Sequence, residues 1–202
     1  MLKRLIESLR PSDFQSSHSL FELPARGRPS HTLLITCSDL RTNPFQLIST
    51  NAHDLHVVQN FGNLVPRPDP HREEETQVEG LVGLYQVRHL VVCGHAPCGV
   101  LKTLLSPENA GLPRAMETAG RLQAALKTRE IVSALRDELD QNELLAEAAR
   151  VNVLVQLENL RATPAISDLL DQGDLHLHGW VYQNGSISAY DPHRAEFVGL
   201  SQ

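Results

Sequence analysis

Two short segments hold most of the reactive chemistry in this chain: Cys37-Ser38-Asp39-Leu40-Arg41 and Gly94-His95-Ala96-Pro97-Cys98. Each follows an apolar, β-prone run, so each sets its side chains at a strand end. Two thiolates and an imidazole are the donors Zn²⁺ takes when three protein ligands hold it and a fourth position stays open for chemistry. His95 and Cys98 are spaced so that one turn can aim both at one metal. Asp39 and Arg41 follow Cys37 closely. A metal beside an acid and a fixed cation suits hydrolysis or hydration of a small electrophile.

Asp39 has two candidate roles. It could be the fourth ligand in a resting state, or it could accept the hydrogen bond of metal-activated water and orient it toward a substrate carbon. Arg41 could hold the Asp39 carboxylate in a bidentate pair and keep it ionised. The same donors also suit a closed structural zinc site with Asp39 as fourth ligand, and ligand types alone leave that open. The third cysteine, Cys93, lies inside the run Leu90-Val91-Val92-Cys93 and reads as a small buried hydrophobe.

These groups must be held by elements, and the pattern predicts them. His31 to Thr36, Asp54 to Gln59 and His89 to Cys93 read as strands, the first as one covered on both faces. Glu73 to Val87 carries Val78, Leu81, Val82, Leu84 and Tyr85 at helical spacing, with acids at its start. Strands alternating with helices imply a parallel sheet with right-handed crossovers. Met116 to Leu170 is helical in pattern. Leu175 to Tyr190 reads as a hairpin turning at Asn184-Gly185. At the front, residues 2–10 form a short amphipathic helix ended by Pro11, and an irregular arm runs to Ser30 that must pack on something, a second subunit being one candidate. In a parallel sheet ligands gather at the carboxyl ends of strands. That rim would carry Cys37, Cys98 and the Asn60-Phe61-Gly62-Asn63 loop.

The chain has 202 residues, 41% hydrophobic and 21% charged, which fits one folded domain with residues 1–30 as arm and 31–202 as core. A net charge of −6 gives no attraction for nucleic acid or an anionic membrane. No apolar stretch reaches the length of a membrane span, and the acid-containing N-terminus is a poor signal peptide. Three cysteines do not make a disulfide scaffold, which points to a reducing cytoplasm.

Joined in order, the motifs make the chain resemble a β-class carbonic anhydrase. Cys37-Ser38-Asp39-Leu40-Arg41, Gln59-Asn60-Phe61-Gly62-Asn63, Gly94-His95-Ala96-Pro97-Cys98-Gly99 and His178-Gly179-Trp180-Val181-Tyr182 match that family's successive motifs. The resemblance implies Zn²⁺ on Cys37, His95 and Cys98, with Asp39 and Arg41 as the catalytic dyad and Asp39 as a further ligand in a closed state. It implies substrate contacts at Asn60, Gly62 and Gly99. The implied fold is α/β: four parallel strands with an antiparallel C-terminal strand, flanked by helices. A homodimer or larger homo-oligomer is implied, with sites near the interface. The implied reaction is reversible hydration of CO2 to bicarbonate and a proton by zinc-bound hydroxide.

The sequence departs from the family at Arg28, Leu40, His56, Gln59, Gly80 and Val100. These changes keep two other readings in play: hydrolysis of carbonyl sulfide or carbon disulfide, and a zinc-binding relative that binds a partner or senses bicarbonate. Leu34 and Gln59 stand where some members carry a Trp and an Arg for regulatory bicarbonate, so that regulation is expected to be absent. His56 could shuttle protons, although packing is the simpler role. His176 and His178 are expected to pack, as no third soft ligand lies near them in sequence. Trp180 and Tyr182 are expected in the core or at a subunit contact.

Overall fold

In the computed structural model, which describes residues 1–15, 31–48, 54–68, 77–106 and 119–200, the front of the chain forms α1 (Leu2–Ser8). β1 (Thr32–Cys37) is buried at every position, as a strand covered on both faces must be. β2 (Leu55–Asn60), α2 (Gln77–Tyr85), β3 (His89–Ala96) and α3 (Gly99–Leu105) follow. Then come α4 (Ala119–Ser133), α5 (Gln141–Arg161) and α6 (Pro164–Gln172). The chain closes with β4 (His176–Gln183), β5 (Ser186–Asp191) and β6 (Glu196–Gly199).

The six strands form one sheet in the order β2-β1-β3-β4-β5-β6. The first four in that order run parallel, and β5 and β6 are antiparallel. Four parallel strands match the sequence expectation. The expected antiparallel C-terminal strand is β5, and the sheet adds one strand beyond it: β6 is a four-residue edge, too short to announce itself by alternation, antiparallel to β5 with Phe197 paired to Tyr190. Strand order reverses at β1, since β2 lies to one side of it and β3 to the other. Open α/β sheets bind ligands at that switch point, and Cys37 ends β1 there.

Local chemistry explains the breaks in the long helical stretch. Asp140 caps α5, accepting from the amides of Asn142 (2.8 Å) and Glu143 (2.9 Å), while Glu143 reaches back to the Asp140 amide. Pro164 opens α6 at a position where its missing N–H costs nothing, and Gly173 ends it with φ 74°. Asn184 and Gly185, at φ 52° and 81°, form the expected tight turn between β4 and β5.

The long helix α5 lies very close to the sheet. A Cβ on Gly94 would sit 2.9 Å from Val153, and one on Gly179 would sit 2.8 Å from Leu157. Only glycine allows this approach, and it seats α5 directly behind the ends of β3 and β4. The front segment packs on the same helix of its own chain: Arg161 of α5 meets the buried Asp13 carboxylate at 2.8 Å, and Phe14 bridges to Leu177. The rest of the expected arm, including Arg28, and the acids 73–75 lie outside the described residues.

Candidate metal centre

The ends of β1 and β3 are adjacent, and the turn after β3 returns Cys98 to the same place as N-cap of α3. Ligand atoms of Cys37, His95 and Cys98 all lie within 4.8 Å of one another, the one such group among the described residues. The two sulfurs are 3.8 Å apart. Two sulfurs about 2.3 Å from one tetrahedral ion stand about 3.8 Å apart, so the spacing fits a shared zinc. All three residues are buried, and the His95 Nε2 has no hydrogen-bond partner. A buried imidazole nitrogen without a partner is a group in want of a ligand. The residues present therefore fit a metal ion.

The electrostatics prepare Cys37 as a thiolate. The Cys98 thiol beside it pulls its pKa down. His95 and the amides of Asp39 and Gly62 add to that against the opposing effect of burial. Cys98 is pushed up in return, first by the same sulfur–sulfur contact and then by burial. The Asp39 amide donates to Cys37 Sγ at 3.4 Å. Cys93 plays no part: it is fully buried, and burial pushes its thiol up to about 12.

Asp39 stands apart from the three-ligand group. Its Oδ2 accepts from the Gly99 amide at 2.6 Å. The expected bidentate pair with Arg41 is not formed, and among the described residues Asp39 and Arg41 make no ion pair. Leu40 gives the reason. Its side chain sinks into the core beside Leu47, Ile48 and Trp180, and Arg41 is carried out into solvent. Leu40 is thus a packing residue. Among the other candidates, Asn60 clasps its own loop, with Oδ1 accepting from Leu64 N (2.8 Å) and Nδ2 donating to Leu64 O (3.0 Å). Gly62, at φ 80°, takes a conformation that suits glycine.

The remaining side chains fall into place around this centre. His56 stacks on Tyr85 with ring centroids 3.7 Å apart. It is paired with Leu33, four residues before Cys37, hence about 13 Å down the strand from the centre. That position does not suit proton shuttling. Gln59 is exposed, Leu34 is in the core and Trp180 is fully buried. His176 and His178 do meet a third imidazole, from β3 rather than from nearby sequence: His89 Nδ1 is 3.2 Å from His178 Nε2. Among the described residues the three do not form a metal-holding group; His89 and His178 are buried.

Sequence reasoning missed a second set of polar residues, Asn152, Gln156 and Asn159 on α5, all buried. Their signal was present as amides at helical spacing inside the apolar stripe Val151, Leu154, Val155 and Leu157.

A family model for carbonic anhydrase matches residues 32–187. The chain is 34% identical to a carbonic anhydrase of Synechocystis sp., over 98% of this chain and 74% of that protein. It is 35% identical to one from Pseudomonas aeruginosa, over 94% of this chain and 86% of that one. Its structure is similar to that of the β-carbonic anhydrase CcaA, with a TM-score of 0.74 and 33% identity, covering 100% of this chain and 92% of the other.

Proposed function

The chain belongs to the β-carbonic anhydrase family, and on that premise we propose how its residues serve the reversible hydration of CO2 to bicarbonate and a proton. The observation that carries the proposal is the buried group of Cys37, His95 and Cys98, with an unpartnered His95 Nε2 and sulfurs 3.8 Å apart. These three residues would hold Zn²⁺, a Lewis acid able to activate water near neutral pH.

Asp39 is the acceptor. The Gly99 amide engages Oδ2, which leaves Oδ1 to accept a hydrogen bond from the reacting water and so orient it toward the carbon of CO2. Held this way, Asp39 is kept as an acceptor and does not itself join the ligand group. Arg41, exposed at the mouth of the same turn, supplies the positive charge that favours a departing anion. Asn60 and Gly62 shape the wall next to Cys37.

We infer further that the chain self-associates and works in a reducing cytoplasm. Three cysteines without a disulfide and the thiolate-rich centre support the second point. An edge strand, β2, whose one strand neighbour among the described residues is β1, and exposed Leu84 and Tyr85 beside it support the first.

Stopped-flow CO2 hydration tests the reading. Zinc-loaded protein should accelerate the reaction, chelator-stripped protein should not, and added zinc should restore it. Asp39→Asn should cost about 10²–10⁴-fold, the usual contribution of a positioned acid or base. A zinc-loaded protein that hydrolyses carbonyl sulfide while leaving CO2 at its uncatalysed rate would overturn it.

A further inference from the structure

Three side chains of α5 face the rim of the metal centre from behind and touch none of the ligands. Asn152 Nδ2 donates to the Gly62 carbonyl at 2.9 Å and lies 3.2 Å from Asn63 Oδ1. Gln156 accepts from the Val65 amide at 2.8 Å, and Asn159 donates to the Val65 carbonyl at 3.0 Å. Two of them brace each other: Gln156 Nε2 donates to Asn152 Oδ1 at 3.0 Å, and the Thr128 hydroxyl of α4 stands 3.1 Å from the same oxygen. Thr128, Asn152 and Gln156 have no exposure at all, and Asn159 has 2%.

Amides in such a place are costly unless fully paired. A helix that only had to pack on a sheet would be better served by leucine. What the amides accomplish is specific: they take up the Gly62 carbonyl and both polar backbone atoms of Val65, the two ends of the 62–65 loop. That loop is also tied at its start, where the Ser38 amide donates to the Asn60 carbonyl at 2.8 Å. Its far side meets the first turn after Cys98, since a Cβ on Gly62 would lie 3.1 Å from Val100. The loop is therefore wedged between the end of β1, the start of α3 and α5.

We propose that Asn152, Gln156 and Asn159 are positioning residues of the metal centre: by fixing the 62–65 loop from α5, they set where the backbone of Gly62 stands against Cys37 and Cys98. This rests on the metal reading of that centre. Residues that orient a ligand from outside the coordination sphere commonly change metal affinity by about 10–100-fold when lost. The path here has one more link, through backbone, so about tenfold is expected.

The test uses the full chain loaded with Co²⁺, whose thiolate charge-transfer absorption reports sulfur–metal geometry, and the rate at which a chelator removes Zn²⁺. Asn152→Leu should shift or weaken the cobalt band and speed zinc removal about tenfold. Asn159→Ala, which loses one contact at the end of the ladder, should act in the same direction by a smaller factor and keeps the test intact if the first variant does not fold. Leu170→Ala, in the core of α6 away from the loop, serves as a control that lowers Tm without touching the ladder. Variants that match this control in band and in zinc loss at equal Tm overturn the inference alone. A wild-type chain without any cobalt–thiolate band removes the metal reading and this inference with it.

Discussion

Asp39 and Gly99 meet through a single short hydrogen bond, and the three nearest atoms that a Cβ on Gly99 would find belong to that carboxyl group: Oδ2 at 3.1 Å, Cγ at 3.7 Å and Oδ1 at 3.8 Å. The residue is therefore both donor and clearance. Gly99→Pro separates these from folding. Proline is at home in the first position of a helix, and Cys98 before it already has φ −118° and ψ 122°, the conformation a residue before proline prefers. The variant deletes the amide hydrogen and pushes the carboxylate aside while α3 stays intact. Bonds to a charged partner contribute about 1.5–3 kcal/mol, less where solvent reaches them, so about a tenfold loss of CO2 turnover is expected with zinc content unchanged. Wild-type turnover in Gly99→Pro would show that Asp39 needs no such hold. At this scale the ligand triad was legible because donor type and spacing announce it. The Asp39–Gly99 bond was not, because it depends on where α3 begins relative to β1, and nothing in the pattern Cys-x-Asp-x-Arg records that.

Strands β3 and β4 show what register adds to sequence. His89 and His176 are paired across the two strands, His178 follows on the same face, and His89 Nδ1 meets His178 Nε2 at 3.2 Å. Burial pushes His89 down to about 4 and His178 well below the ordinary range. His176 is lowered by burial too, with Arg88 repelling protons from His89 and His176. An unfolded histidine takes its proton near pH 6.5. The folded chain thus binds fewer protons than the unfolded one between those values. Stability is complete above about pH 6.5 and drains away as pH falls toward 4. Thermal unfolding should show Tm falling through that interval, and His89→Gln should flatten the slope. A wild-type Tm that is level from pH 7 to 4.5 would contradict this. The strands themselves were readable from apolar runs, and the hairpin from Asn184-Gly185. The partner of His178 was not, because it lies 89 residues away and is brought close only by the parallel pairing of β3 with β4. The helix breaks were half legible: Pro164 declared one, while the cap at Asp140 was hidden among the charges of a solvated face.

At the scale of the whole molecule, β2 forms one edge of the sheet among the described residues, with β1 as its one strand neighbour there. Beside it α2 leaves Leu84 71% and Tyr85 39% exposed, with Tyr85 stacked on His56 of β2 itself. An open strand edge with apolar groups next to it is the surface that natural proteins blunt or bury. The other edge is β6, only four residues long and opening on the charged Glu196, and it is already blunted in this sense. A second copy of the chain fits the β2 side well: an edge strand placed against itself across a two-fold axis runs antiparallel, and each α2 then covers its counterpart. Leu84 is so exposed that replacing it should cost the fold under about 0.5 kcal/mol. Leu84→Glu nevertheless sets two like charges at such an interface. Sedimentation should find wild-type chain above the 22.4 kDa of one copy, and Leu84→Glu shifted toward it with an unchanged circular dichroism spectrum. An assembled mass that Leu84→Glu leaves untouched would move the interface elsewhere, and a wild-type protein sedimenting as one copy would end the case for self-association.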